Sequence, residues 1–279
     1  MGRRILKSLE DYSRALKDGK GLGVGTDYLP WLRVNDASSW GKSVKIHGLK
    51  TNRTHHLLSG NEENFLYCAE FNQRVIDIRE QFPLLPLDLV VRLSREAGIK
   101  YPINQDSKDP YILSTDFLLT LKDTDQTTYL AVAIKPAKDL QDKDVLARLE
   151  IERLWYMALD VPWRLVTDRQ INKQVSRNIK WFSDPLRGRK QLSLGNEKDK
   201  LIDEIAMRMK PGVYEWNGLV EQYANALGQD SKLISSVLKA AIWLQRIKAD
   251  ISTPIQDQGV INILDVSCAL ENTKYGEVS

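Results

Sequence analysis

Ile112-Leu113-Ser114-Thr115-Asp116-Phe117-Leu118-Leu119 is followed, beyond the polar turn Asp123-Thr124-Asp125-Gln126, by Tyr129-Leu130-Ala131-Val132-Ala133-Ile134-Lys135. Both apolar runs read as strands, with Asp116 leading into the first and Lys135 closing the second. Upstream, Ser59-Gly60-Asn61-Glu62 opens a helix. A helix Glu, a strand Asp and a Lys at the end of the next strand are the parts of a metal-dependent phosphodiesterase. Two carboxylates, Glu62 and Asp116, can hold Mg²⁺ against a scissile phosphate. Lys135 can orient or deprotonate the attacking water and offset phosphate charge. Each residue also has an ordinary explanation. Glu62 completes a capping box with Ser59, Asp116 can be a solvated strand end, and Lys135 a surface charge beside Pro136.

Composition bounds the alternatives. The chain has 279 residues, 42% hydrophobic and 28% charged, enough for one large domain or two modest ones. No apolar run approaches the ~20 residues that span a bilayer, and Met1-Gly2-Arg3-Arg4-Ile5-Leu6-Lys7 lacks the apolar stretch of a signal peptide. Cys68 and Cys268 make neither a disulfide framework nor a zinc cluster. A soluble protein of a reducing, cytoplasmic compartment with no membrane partner is expected. The net charge is only +3, but unevenly spread. Residues 1–54 carry 11 Lys/Arg against 5 Asp/Glu, residues 55–172 carry 14 against 19, and residues 173–279 carry 15 against 13. An acidic middle suits a cation and basic flanks suit a polyanion, although charge runs are usually solvated faces.

The organisation follows from periodicity. Residues 1–27 give an amphipathic helix and a Gly-rich connector, Gly19-Lys20-Gly21-Leu22-Gly23-Val24-Gly25, which lacks the Gly-Lys-Ser/Thr ending of a phosphate loop. Residues 28–169 alternate strand and helix: strands at 28–34, 43–48 and 55–58, a helix from Asn61 to Phe71, a strand at 74–83, and a helix from Leu87 to Ala97. The two strands of the opening motif come next. A helix from Asp139 to Leu159, with the stripe Leu146, Leu149, Leu154 and Met157, leads to a strand at 162–168. This predicts an α/β, restriction-endonuclease-like nuclease core, a mixed sheet flanked by helices with the site at one sheet edge.

Residues 170–195 read as a basic linker. Lys173, Arg177, Lys180, Arg187, Arg189 and Lys190 are its candidate DNA contacts. Residues 196–268 read as helices at 197–209, 215–227 and 231–247. A hairpin of 250–255 and 260–264 about Gln256-Asp257-Gln258-Gly259 follows. That order predicts an α+β winged-helix domain, and residues 269–279 form a tail. Lys232, Lys239 and Arg246 share the polar face of the third helix, which suits DNA contact and protein docking alike. Seven tryptophans tempt a base-stacking account, but are better core or interface anchors.

The chain resembles the TnsA-type endonuclease subunits of heteromeric cut-and-paste (TnsABC) transposases. The resemblance rests on Gly25-Thr26-Asp27-Tyr28-Leu29-Pro30-Trp31-Leu32, His55-His56-Leu57-Leu58-Ser59, and Asp77-Ile78-Arg79-Glu80-Gln81-Phe82-Pro83-Leu84-Leu85-Pro86. It continues in Ser114-Thr115-Asp116-Phe117-Leu118, Lys135-Pro136-Ala137, Leu149-Glu150-Ile151-Glu152-Arg153, and Pro162-Trp163 through Thr167-Asp168. It implies that Glu62, Asp116 and Lys135 are the catalytic Glu, Asp and Lys. Glu62 and Asp116 would then hold Mg²⁺ (Mn²⁺ substituting), with the Ile134 carbonyl and water completing the shell. It implies cleavage of the non-transferred strand at the 5′ ends of a transposon, with a TnsB-like transposase and a TnsC-like AAA+ ATPase as partners and double-stranded DNA as substrate. One position departs. The family has Gln two residues before the Lys, and this chain has Ala133, whose methyl group cannot bind a metal. That departure supports the rival reading of an assembly subunit that has lost catalysis, against which the intact Glu62, Asp116 and Lys135 argue. A stand-alone restriction or repair nuclease is the third reading.

Overall fold

A computed structural model describes residues 6–36, 42–124, 126–187 and 196–266, with the side chain of Asn196 excepted. The chain divides into two compact units, residues 1–171 and 172–279.

The first unit is built on a four-stranded mixed sheet. Its strands are β3 (Val75–Pro83), β4 (Ser114–Lys122), β5 (Thr127–Lys135) and β6 (Trp163–Thr167), in the order β3-β4-β5-β6. The first three are antiparallel and β6 lies parallel to β5. Strands β1 (Val44–His47) and β2 (Thr54–Leu57) form a separate antiparallel ladder. Helices α1 (Leu9–Lys17), α2 (Gly60–Phe71), α3 (Leu87–Glu96) and α4 (Lys143–Ala158) complete the unit. One core cluster gathers Leu84, Val90, Leu118, Ala131, Ile151, Trp155 and Tyr156, joining β4 and β5 to α3 and α4. Phe65 of α2 meets Phe117 of β4 with ring centroids 5.1 Å apart. The expected mixed α/β core is therefore present.

Three details differ from the sequence reading. Residues 28–34 form no strand. Pro30 has no N–H to offer a ladder, and Leu29 instead folds back on the Gly-rich segment, accepting from the Gly21 N–H at 2.6 Å. That segment is not a loose connector. Gly21 takes φ +76° and lies so close to Pro83 that a β-carbon there would overlap the ring. On α4 the stripe is displaced: Leu146 and Met157 are exposed, whereas Leu149, Ile151, Glu152, Trp155 and Tyr156 are buried. The two large rings, not the leucines, set which face turns inward.

The second unit holds α5 (Lys173–Ser183), α6 (Asn196–Arg208), β7 (Gly212–Glu215), α7 (Trp216–Leu227), α8 (Ser231–Trp243), β8 (Ile247–Ala249), the short α9 (Ile255–Gln258) and β9 (Val260–Val266). Its sheet is antiparallel in the order β7-β9-β8. The three expected helices are present, and Gly228 ends α7 in the left-handed region at φ +61°. The hairpin differs. Asp250 Oδ1 accepts from both the N–H and the hydroxyl of Ser252, a turn that ends the strand at Ala249. Residues 255–258 then form a helical turn, and β7 is a third strand that the sequence reading lacked.

The stretch read as a linker is corrected most. Asn172 caps α5 through its side chain, and Ile179 and Phe182 are buried. The fully buried Asn178 donates to the carbonyls of Ile251 and Thr253 at 2.9 and 2.7 Å. Helix α5 is thus part of the second unit. Arg189 and Lys190 lie outside the described residues, as do Cys268 and the tail.

Candidate active site

Strand pairing brings the opening motif together. Asp116, on the central strand β4, is almost wholly buried at 8% exposure. Its Oδ2 accepts from the Ile134 N–H at 2.6 Å and from Lys135 Nζ at 3.0 Å. The adjacent strand β5 therefore presents both a backbone donor and an ammonium to one carboxylate oxygen. The Asp116 carboxylate, acting against the cost of burial, raises the pKa of Lys135, so the ammonium stays charged at neutral pH. From Ile134 it is the N–H that meets Asp116.

Glu62 enters from the first turn of α2. The capping role is present: the Ser59 hydroxyl accepts the Glu62 N–H at 3.2 Å and donates to Glu62 Oε1 at 2.9 Å, while Oε2 accepts the Leu58 N–H at 2.8 Å. Burial, and then the nearby charge of Asp116, push the Glu62 carboxyl up to about 7. The capping reading of Glu62 is met, and its carboxyl also feels the charge of Asp116. Its oxygens are pinned by the cap, and its charge repels that of Asp116 across a space where Lys135 offsets part of the excess.

Asp116 and Lys135 line a cavity of about 680 Å³ together with Gln81, Ser114, Glu152 and the aromatic residues Tyr12, Trp31 and Tyr111. Glu62 lies outside this lining. Glu152 is a second buried carboxyl. Trp163 Nε1 donates to its Oε1 at 2.9 Å, and burial followed by the charge of Asp116 raises its pKa to about 7. Gln81 bridges two neighbours, accepting from Ser114 Oγ at 3.0 Å and donating to Asp116 Oδ1 at 3.4 Å. Sequence reasoning missed both residues as parts of the site. The available signal for Glu152 was its place on the helix face of Leu149, Trp155 and Tyr156, where a carboxylate needs a reason to be buried. Nothing local marks Gln81, because a strand position does not reveal its neighbour's side chain.

Hard oxygen donors suit Mg²⁺, which is commonly held by one or two carboxylates plus water and substrate phosphate. Two carboxylates close enough to raise one proton affinity fit such an ion. Among the described residues no group of three His, Cys, Asp or Glu converges as a metal cluster. His55 and His56 are accounted for structurally. His55 is fully buried between Thr51 Oγ1 at 2.9 Å and Glu80 Oε2 at 2.7 Å, and His56 Nδ1 accepts the Val34 N–H at 3.3 Å.

The expected basic contacts separate by environment. Lys173 and Lys180 are exposed on α5. Arg177 is exposed but held bidentately by Asp257 at 2.7 Å on both bonds. Arg187 donates to Ser183 Oγ at 3.1 Å. On α8, Lys232 is exposed and Lys239 partly buried; Arg246, also partly buried, lies beyond the end of the helix at Trp243 and so does not share its face as expected. Lys239 Nζ lies 4.2 Å from the centroid of the Trp181 ring, which itself packs on Trp216 at 4.6 Å. Helix α5 thus rests on part of the α8 face expected to be free.

Comparison with known proteins agrees with the resemblance read from the sequence. Residues 72–168 match the sequence model of the TnsA-like endonuclease N-terminal domain. That segment contains Asp116 and Lys135, and Glu62 precedes it. The chain is 42% identical over 170 residues to the transposition protein TnsA of transposon Tn7 from Escherichia coli. The aligned segment spans 61% of this chain and 61% of that relative.

Proposed function

We propose that this chain is a TnsA-type, Mg²⁺-dependent DNA endonuclease subunit of a transposase. It hydrolyses the non-transferred strand at the 5′ ends of the element. The observation that carries the reading is the convergence of Lys135 and the Ile134 N–H on Asp116, with Glu62 electrostatically coupled to it, inside a segment similar to TnsA-like endonuclease domains.

Glu62 and Asp116 would hold the ion, with the Ile134 carbonyl and water as further oxygen donors. When bound, Mg²⁺ supplies charge neutralisation and polarisation at the scissile phosphate. The Lys135 ammonium, anchored at 3.0 Å on Asp116, orients the attacking water and offsets phosphate charge. The Ser59 cap keeps the Glu62 carboxylate from rotating away. The partners of this reading are transposon-end duplex DNA, a TnsB-like transposase that cuts and joins the other strand, and a TnsC-like AAA+ ATPase. Among the described residues no helix is long and apolar enough to cross a membrane.

The second unit is read as a winged helix, its α6-β7-α7-α8-β8-β9 order supporting that assignment. The cover of Trp181 over Lys239 favours protein docking over base reading by α8.

The test is strand-specific cleavage of a transposon-end duplex by the chain with its TnsB-like partner and Mg²⁺. A 5′-strand cut lost in Asp116→Ala and Lys135→Ala supports the endonuclease. A complex that assembles without any 5′ cut supports the assembly-subunit reading instead.

A further inference from the structure

We infer that Gln81 is a positioning residue that sets the metal-holding orientation of Asp116 from the neighbouring strand. The inference rests on the reading that Asp116 holds a divalent cation, and adds a residue to that site.

Gln81 sits within an unbroken stretch of the β3–β4 ladder, between two paired positions. The register runs Glu80 opposite Phe117, then Phe82 opposite Thr115. Gln81 has φ +49°, a left-handed region that non-glycine residues rarely occupy. The surroundings impose it. Trp31 N–H donates to the Gln81 carbonyl at 3.2 Å, and Tyr28 OH donates to the carbonyls of Glu80 and Gln81 at 3.0 and 3.4 Å. Both rings are about 1% exposed, so this support is rigid. The result aims the amide into the cavity, where Ser114 Oγ fixes its oxygen and its nitrogen donates to Asp116 Oδ1.

The two Asp116 oxygens are thereby treated differently. Oδ2 is taken by Ile134 N–H and Lys135. Oδ1 has the single long bond from Gln81 as its hydrogen bond among the described residues. An oxygen with one donor at 3.4 Å keeps lone-pair capacity for a cation, while the plane of the carboxylate is fixed. Position 133, two residues before Lys135 on the same strand, is a fully buried Ala whose methyl can do neither. The amide at the site comes from β3.

The test is Mn²⁺ binding to the full-length protein, by electron paramagnetic resonance and calorimetry, for wild type, Asp116→Ala, Gln81→Met and Ser114→Ala. Gln81→Met keeps the side-chain length and removes both hydrogen bonds. The expected result is at least tenfold weaker Mn²⁺ binding with the metal-free melting temperature held within a few degrees. Ser114→Ala, which only frees the far end of the amide, should weaken binding several-fold and covers the case of a poorly folded Gln81→Met. Loss of binding in Asp116→Ala with wild-type binding in folded Gln81→Met or in Ser114→Ala overturns this inference alone. Wild-type binding in Asp116→Ala overturns the metal site itself.

Discussion

Lys135 Nζ lies 3.0 Å from Asp116 Oδ2, and the N–H of the preceding residue donates to the same oxygen at 2.6 Å. One strand thus neutralises and orients the carboxylate of its neighbour. Replacing Lys135 by Met leaves Asp116 uncompensated beside Glu62. Cleavage in Mg²⁺ should fall at least 100-fold, and metal-free stability should fall as well, because the nearly buried Asp116 carboxylate loses its ion-pair partner. Single-turnover cleavage and thermal denaturation separate the two effects.

Glu152 gives a pH prediction. Its folded pKa is raised from 4.5 to about 7 by burial and by Asp116. A carboxyl held above its unfolded value stabilises the fold fully below about pH 4.5, and that contribution is lost as pH rises through 7. The loss is at most about 3 kcal/mol. In Glu152→Gln the Trp163 bond can persist while the ionisation is removed. Melting temperature should therefore decline less between pH 5 and pH 8 in the variant than in wild type. Parallel curves would refute this.

Glu80 behaves in the opposite sense. Burial acts to raise it, but His55 and two Arg53 hydrogen bonds, at 2.6 and 2.8 Å, hold it well below the ordinary carboxylate range. Its stabilisation is present above the unfolded carboxylate value and lost as pH falls below it. Arg53→Met strands a fully buried carboxylate and should cost about 3–5 kcal/mol at pH 7, read by chemical denaturation.

Helix α5 is tied to its unit by Asn178 and by the Arg177–Asp257 pair. Asn178→Ala leaves two carbonyls without donors and should cost about 1–3 kcal/mol. Hydrogen exchange should rise over residues 247–258 and stay unchanged in β3–β5. A fragment of residues 172–279 should fold cooperatively, and one beginning at 196 should not.

The basic residues divide the same way. Lys239→Ala should lower the stability of the second unit, since the side chain packs on Trp181. Should this unit contact DNA, Lys173→Ala and Lys232→Ala, both exposed, would each reduce the salt dependence of binding by about one ion without changing stability.

Much of this was legible in the chain. Alternating and continuous apolar runs placed β3 to β6 and α2 to α4 within a few residues, because a sheet buried on both faces leaves a strong local pattern. Asp116 and Lys135 were readable since each sits at a strand end. The rest depended on contacts distant in sequence. Trp31 was buried by its partners, not by a strand; Glu152 was drawn inward by Trp155 and Tyr156; Gln81 meets Ser114 and Asp116 only through the pairing of β3 with β4. The helix at 173–183 was hidden because its exposed face is basic, and its apolar face, with Ile179 and Phe182, has too few residues to stand out.

The central claim is that Asp116 and Lys135 cut DNA. The most direct measurement is strand-resolved cleavage of a 5′-labelled transposon-end duplex with Mg²⁺ and the TnsB-like partner, comparing wild type, Asp116→Ala and Lys135→Ala. The account predicts a 5′-strand cut by wild type alone, with the partner's 3′ cut retained in all three. A 5′ cut that survives Asp116→Ala would contradict it.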